Sequence, residues 1–176
     1  MIWKKRHHVK SFQQMIRGEV LMYDKILVPH AGTSAGGKAL EHATKLAKIH
    51  GSKVTILHIV EKIPTPSSYG FELERKKWAK DLQKAQEEIQ HEMKEKFQKL
   101  ANKYRSEKIQ ITVKIKEGYP DEEIPKTSKI GNYDLVIMAK RRKLRGFKSI
   151  LKLGSVSRKV LEQISCPIIL IDGEKK

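Results

Sequence analysis

The chain has 176 residues and 39% of them are hydrophobic, which is enough for one domain with a proper core. Its formal net charge of +17 implies attraction to an anionic partner such as a nucleotide, a nucleic acid or an acidic membrane, with plain solubility as the alternative. The single cysteine, Cys166, excludes an intrachain disulfide. The sequence shows neither an apolar run of membrane-spanning length nor a signal peptide, so a cytoplasmic protein is expected.

Residues 1–21 are predicted to form a basic N-terminal extension, and residues 22–176 to form the domain. In the extension, four apolar residues recur at helical spacing between lysines and arginines: Val9, Phe12, Ile16 and Val20. A short amphipathic helix that binds a surface is one interpretation, and disorder or docking on the chain's own domain are the others. Met22 is an alternative start, because the domain pattern begins at the next residue.

The first half of the domain alternates strand and helix. A buried strand is predicted over residues 25–29, then a helix that Thr33 or Ser34 caps and that ends near Gly51, then a second strand over residues 54–60. A long charged helix follows. Its apolar stripe predicts that one face lies in the core: Leu82, Ala85, Ile89, Met93, Phe97, Leu100 and Tyr104.

The second half continues the alternation. Residues 109–115 predict a strand with one wet face, Pro120 begins a helix to about residue 130, and residues 134–138 predict a buried strand. After a basic loop, a helix capped by Ser155 or Ser157 runs to about residue 164, and a last apolar strand ends at Asp172. This order predicts a single doubly wound α/β domain, in which helices cover both faces of a parallel sheet.

The last strand is apolar at four consecutive positions: Ile168, Ile169, Leu170 and Ile171. A bare apolar strand at a sheet edge invites aggregation, so something is expected to cover it. A second copy of the same strand would do so. The sequence therefore predicts a homodimer joined through this strand.

The segment from the fourth strand to the last helix is suited to phosphate. Backbone N–H groups at the helix start, over Gly154, Ser155, Val156 and Ser157, can receive an anion that the peptide dipole also favours. Cations crowd this segment, which contains no acidic residue: Lys140, Arg141, Arg142, Lys143, Arg145, Lys148, Lys152, Arg158 and Lys159. They are interpreted either as phosphate ligands or as a solvated face.

In this order and spacing, several short motifs between residues 22 and 172 resemble the universal stress protein family. They are Lys25-Ile26-Leu27-Val28-Pro29 with Lys38-Ala39-Leu40, Leu57-His58-Ile59-Val60, Gly118-Tyr119-Pro120 with Glu123-Ile124, Asp134-Leu135-Val136-Ile137-Met138, Gly154-Ser155-Val156-Ser157 with Val160-Leu161, and Cys166-Pro167. The resemblance implies a five-stranded parallel sheet with strand order 3-2-1-4-5, and usually a dimer through the last strand.

In nucleotide-binding members of that family, ATP lies across the ends of the first and fourth strands, at the topological switch point. The resemblance implies that Pro29 and Ile59 border the base and that the helix start at Gly154 receives phosphate.

This chain departs from the family pattern at three places. Ala31 stands where the family has an acidic residue, Ala139 and Arg142 replace the two opening glycines, and eleven residues rather than nine follow to Gly154. A nucleotide or another phosphate-bearing ligand is therefore expected, held with help from Lys140, Arg141 and Arg142, while standard ATP binding is not.

Other chemistry has less support in the sequence. The segment from Gly32 to Lys38 nearly spells a P-loop, but Ala39 stands where Ser or Thr must bind magnesium. The sequence has no metal-spaced Cys/His cluster, nucleophile elbow or paired carboxylates, so no enzyme is predicted. His58 is interpreted as a hydrogen-bonded core residue, and His30 as a residue that could touch a base.

The rival functional hypothesis is nucleic-acid binding. The basic loop and the basic extension would make salt-dependent, sequence-independent phosphate contacts. Phe147 is the loop's sole aromatic residue for stacking on bases. An adaptor that binds a protein partner without a small ligand is the third hypothesis.

Overall fold

Five strands joined by helices form one sheet in the computed structural model, which describes residues 23–61, 72–140 and 154–172. The elements in chain order are β1 (Lys25–Pro29), α1 (Ser34–His50), β2 (Lys53–Val60), α2 (Glu72–Arg105), β3 (Ile111–Glu117), α3 (Pro120–Ile130), β4 (Leu135–Lys140), α4 (Ser155–Gln163) and β5 (Ile168–Asp172). The strands lie in the order β3-β2-β1-β4-β5 and every pair is parallel. The predicted fold class and strand order are confirmed.

The core consists of two apolar layers, one on each face of the sheet. Alternate residues of β1 divide between them, with Ile26 and Val28 on one face and Leu27 on the other. The first layer packs the strands against α1 and α2 through the buried side chains of Ala39, Leu40, Ala43, Phe97 and Ala101. The second layer packs them against α3 and α4 through Ile124 and Val160.

The ends of α1 are those expected from its sequence. Thr33 is the N-cap, in an extended conformation, and its Oγ1 accepts a hydrogen bond from the backbone N–H of Gly36 at 3.3 Å. Gly51 closes the helix with a φ of 68°, a conformation that glycine adopts without steric cost. The connections can therefore be short, with four residues between β1 and the helix and two between the helix and β2.

The apolar stripe of α2 is core over its second half alone. Phe97 is fully buried, and Met93, Leu100 and Tyr104 pack against the first layer, but Ile89 is 41% exposed. The reason is length: 34 helical residues span roughly 51 Å, whereas the seven residues of β3 span roughly 23 Å. The N-terminal half of α2 therefore runs past the end of the sheet, and the prediction that the whole stripe is core was wrong there.

Two predicted boundaries were also wrong. β4 continues to Lys140, two residues further than predicted, because its ladder with β5 continues to the pair Lys140 and Asp172. The N-cap of α4 is Gly154, which has extended dihedrals, so Ser155 is already the first helical residue. Ser157 lies in the first turn and is buried. Neither serine precedes the helix, so neither can cap it.

Among the described helices, none has the length and hydropathy needed to cross a membrane. The predicted extension over residues 1–21 lies outside the described residues.

Candidate functional site

A crevice opens where β1 and β4 part. The two strands are paired at just two positions, Ile26 with Leu135 and Leu27 with Val136. Beyond that point β1 remains bonded to β2 as far as Pro29, and the next N–H, that of His30, donates to the carbonyl of Leu57 at 2.8 Å. The end of β4 stays instead with β5. Because α1 and α4 begin on opposite faces of the sheet, this parting is the topological switch point of the fold.

The residues predicted to border a base lie on one face of two neighbouring strands. Pro29 is buried at the end of β1 and pairs with Leu57 of β2. Ile59 is two residues further along β2, so it points to the same face, where it packs against the second core layer. Ala31 lies two residues after Pro29 and is exposed. The fold therefore brings Pro29 and Ile59 together beside the crevice.

On the other side of the crevice, Ala139 and Lys140 form the last two positions of β4 and are partly buried. They are strand residues rather than loop residues, and the alternation of the strand turns their side chains to opposite faces. Arg141 and Arg142, which were predicted to hold phosphate, lie outside the described residues.

The start of α4 is the helix end best suited to an anion among the described helices whose caps the structure defines. Gly154 makes no side-chain capping hydrogen bond, and the first turn holds no acidic residue. By contrast, the side chain of Thr33 accepts a hydrogen bond from a backbone N–H group of α1. The first turn of α3 carries three acidic residues, Asp121, Glu122 and Glu123. The first backbone N–H groups of α4, over Ser155, Val156 and Ser157, therefore have no competing side-chain carboxylate in their own turn.

Two of the cations in the basic segment are already paired. Lys140 Nζ lies 2.9 Å from Oδ2 of Asp172, its register partner on β5, and Lys159 Nζ lies 2.6 Å from Oδ2 of Asp121 on α3. The hydrogen bond between the second pair raises the pKa of Lys159 and lowers that of Asp121. Both pairs are partly exposed to solvent, which screens them, so neither contributes much to stability. A phosphate bound by Lys140 would compete with Asp172 for the ammonium group.

His30 does not face a base-binding space. The residue is 6% exposed, and its ring packs edge-on against Phe97, with ring centroids 4.9 Å apart. Nδ1 accepts the backbone N–H of Gly32 at 2.9 Å, which leaves the proton of the neutral ring on Nε2. Nε2 is buried and has no hydrogen-bond partner within the described part of the chain. Burial, His58 and Lys96 together lower the pKa of His30 to about 4.

His58 is the hydrogen-bonded residue that its sequence context predicted. Its Nδ1 lies 2.7 Å from the carbonyl oxygen of His30, and because a carbonyl can only accept, Nδ1 is the donor. Its ring also stacks obliquely on Phe97 at 5.0 Å. Sequence reasoning identified Phe97 as core but missed that its ring contacts both histidines, His30 just after β1 and His58 within β2.

The P-loop-like segment is an ordinary capped helix start. Gly32 takes a φ of 78° and turns the chain into α1, and Thr33 then caps that helix. The ring of His30 lies so close to Gly36 that a Cβ there would stand 2.8 Å from Nδ1. Glycine at position 36 is thus explained by a packing contact.

Comparison with known proteins gives the family. A sequence profile of the universal stress protein family matches residues 22–172. Universal stress protein MJ0531 of Methanocaldococcus jannaschii is 30% identical over 165 residues, which cover 92% of this chain and 89% of that protein. The solved structure of hypothetical protein MJ0577 superposes with a TM-score of 0.71 at 22% identity, over 88% of this chain and 99% of that one.

Two further solved structures of similar fold hold a nucleotide. One is a universal stress protein family protein from Arabidopsis thaliana with AMP bound (TM-score 0.55, 18% identity, 85% of this chain and 91% of that one). The other is a universal stress protein in complex with cAMP (TM-score 0.53, 16% identity, 86% of this chain and 98% of that one). With the profile match over residues 22–172 and the shared strand order, these similarities show that the chain belongs to the universal stress protein family.

Proposed function

We propose that the protein is a non-catalytic regulatory module of the cytoplasm that binds a nucleotide or another phosphate-bearing ligand in the crevice between β1 and β4. The parting of these strands beside the uncapped start of α4 carries the proposal. The phosphate would lie at the amides of Gly154, Ser155, Val156 and Ser157, where the helix dipole favours negative charge.

The rest of the ligand would lie across the end of β1, with the base beside Pro29 and Ile59. Ala31 offers no acceptor to a ribose hydroxyl, and Ala139 offers less room than a glycine would. Lys140, released from Asp172, would add a charge-assisted contact to phosphate, and Arg141 and Arg142 would follow it in the chain. A ligand whose affinity depends on its phosphate more than on its ribose fits this set of residues.

Ser155→Glu tests the phosphate site. Ser155 is exposed at the first position of α4, so a glutamate there leaves the core intact and even suits the helix dipole. Its carboxylate would repel a bound phosphate, and we expect at least about a ten-fold loss of affinity for AMP, cAMP or ATP by isothermal titration calorimetry, whichever binds to the unmodified chain.

Ser106→Glu is the matched control, because Ser106 is an exposed serine that follows the C-terminal end of α2, at the opposite end of the sheet. Equal affinity in the two variants would overturn the proposed position of the phosphate. Failure of all three nucleotides, and of inorganic phosphate, to bind the unmodified chain would overturn the ligand-binding proposal itself.

The net charge of +17 favours a second function, sequence-independent binding of nucleic acid by the basic segment. In that case duplex DNA would bind with an affinity that falls steeply with salt, mononucleotides would not bind, and removal of charge at Arg141 and Arg142 would flatten the salt dependence. If the protein binds neither mononucleotides nor DNA, we infer that it is an adaptor for a protein partner.

We further propose a homodimer through β5. The side chains of Ile168, Ile169, Leu170 and Ile171 are only partly buried within one chain, although they pack on both core layers. Among the described residues β5 is bonded to β4 alone, so its outer edge is open to a second copy.

Leu170→Pro tests this dimer. The N–H of Val136 donates to the carbonyl of Pro167, and the alternation of the ladder then turns the backbone of Leu170 away from β4. Proline at that position removes an N–H group that points away from β4, and it leaves the hydrogen bonds between β4 and β5 intact. Light scattering should give twice the chain mass of 20.3 kDa for the unmodified protein and the single mass for the variant. An unmodified chain that is monomeric at micromolar concentration would contradict the proposal.

A further inference from the structure

The opposite edge of the sheet, formed by β3, carries a second open groove, away from the crevice. The groove has a volume of about 620 Å³ and lies between β3 and α2. Val113 and Ile115 line its strand side, and Glu87, Gln90, His91 and Lys94 line its helix side.

The backbone of β3 is open along this groove. Val54 N–H donates to the carbonyl of Gln110, and Gly118 N–H donates to the carbonyl of Val60. These two bonds show that the peptide groups of Gln110 and Gly118 point toward β2. By alternation, the peptide groups of Val113 and Ile115 then point outward. No described residue hydrogen-bonds to them from that side.

Both ends of this open stretch are closed by side chains of α2. At one end Arg105 donates from Nε and Nη2 to the carbonyl of Ile111, at 3.1 and 3.0 Å. At the other end Gln90 Nε2 donates to the carboxylate of Glu117 at 3.3 Å. Between these two ends, the outward peptide groups of Val113 and Ile115 have no hydrogen-bond partner among the described residues, and their apolar side chains are partly buried.

The groove carries more lysines than carboxylates. Lys94, Lys114 and Lys116 line it together with Glu87, and Glu117 lies at the end that Gln90 closes. Lys116 is bound to Glu123 at 2.8 Å, whereas Lys114 is exposed and lies over the ring of Tyr133. An acidic segment would be attracted here, and a second copy of β3 would bring like charges together.

We propose that this edge binds an extended acidic peptide segment of a partner protein, which adds a sixth strand beside β3. Backbone hydrogen bonds to Val113 and Ile115 would provide affinity, and the lysines would select acidic side chains. The proposal is independent of the ligand in the crevice, which lies two strands away at β1.

The test uses the full chain and a capped octapeptide of alternating glutamate and valine. Addition of this peptide should slow the hydrogen exchange of the amides of Val113 and Ile115 by about ten-fold or more, as measured by NMR. The corresponding lysine–valine peptide should bind at least about ten-fold more weakly, and so should the acidic peptide N-methylated at alternate residues.

Lys114→Glu should weaken binding of the acidic peptide about ten-fold by calorimetry, while Lys99→Glu, an exposed lysine of α2 that does not line the groove, should leave it within about two-fold. Val113→Pro should abolish the protection at the edge, because it deletes an outward N–H that β2 does not use.

Equal binding of all three peptides would overturn the proposal, and so would protection confined to other amides. Edge amides that are protected without peptide, in proportion to protein concentration, would assign the edge to self-association and would also overturn it. The comparison of the three peptides needs no change in the chain, so it remains decisive even where a variant fails to fold.

Discussion

Acidification from pH 6.5 to pH 5 is expected to lower the free energy of unfolding by about 1.5 kcal/mol, through His30 alone. In the folded chain the pKa of His30 is lowered to about 4 by burial and by its neighbours His58 and Lys96. In the unfolded chain His30 takes up its proton near pH 6.5, so between these two values the unfolded state binds more protons. Stability therefore falls as pH falls through this window.

The pH range in which His30 lowers the stability can be separated from the range in which the carboxylates titrate. The pKa values of Asp121 and Glu123 are lowered mainly by hydrogen bonds to Lys159 and Lys116, so the stability that these pairs contribute is present above pH 4.5 and is lost only below it. Urea unfolding followed by circular dichroism at several pH values between 7 and 5 isolates the contribution of His30.

His30→Asn is the informative variant, since the amide oxygen of asparagine can still accept the N–H of Gly32 but does not titrate. Between pH 6.5 and pH 5, its unfolding free energy should fall by about 1.5 kcal/mol less than that of the unmodified chain. His42→Gln, at an exposed position of α1, should keep the full dependence. A dependence that survives in His30→Asn would assign the effect to other groups.

Alanine at two adjacent glycines of α1 is expected to have opposite effects on stability. At Gly36 the new Cβ would stand 2.8 and 2.9 Å from Nδ1 and Cε1 of the buried His30 ring, and relief would require the ring to move away from Gly32. We expect a loss of about 1–3 kcal/mol. At Gly37 a Cβ meets no atom within 4 Å, so the higher helix propensity of alanine should add about 0.5–1 kcal/mol.

Each of these variants controls for the other, because both make the same chemical change in the first turns of one helix. Urea unfolding should move in opposite directions for the two. The loss at Gly36 should also shrink in the His30→Asn background, since the smaller side chain vacates the contact, and the two substitutions are therefore coupled. A shift of the same sign at both glycines would contradict the packing role assigned to Gly36.

Much of this architecture could be predicted because local patterns agree with the global fold. Continuous apolar runs such as that of residues 26–28 require cover on both faces, and that requirement leads to a parallel sheet between helix layers. Thr33 and Gly51 mark both ends of α1 in the sequence. The position of the crevice follows from the topology alone.

The details of the site could not be predicted in the same way, because they depend on contacts between distant residues. Nothing local to Lys140 shows that Asp172 will lie beside it, since the register of β4 on β5 determines that pair. His30 follows a strand end that borders the crevice, yet the alternation of β1 turns its ring toward Phe97, far along the chain. The end of the sheet, not the pattern of α2, determines where the apolar stripe of that helix stops being core.

The two margins of the sheet differ in chemistry, and this difference bears on how large an assembly can grow. One margin, β5, is uncharged until its final residue, whereas the other, β3, carries lysines at positions 114 and 116. Two chains joined at β5 would form a ten-stranded continuous sheet with a cationic strand at either extremity. Since such extremities repel one another, growth would halt at two subunits and a filament of stacked sheets would not form.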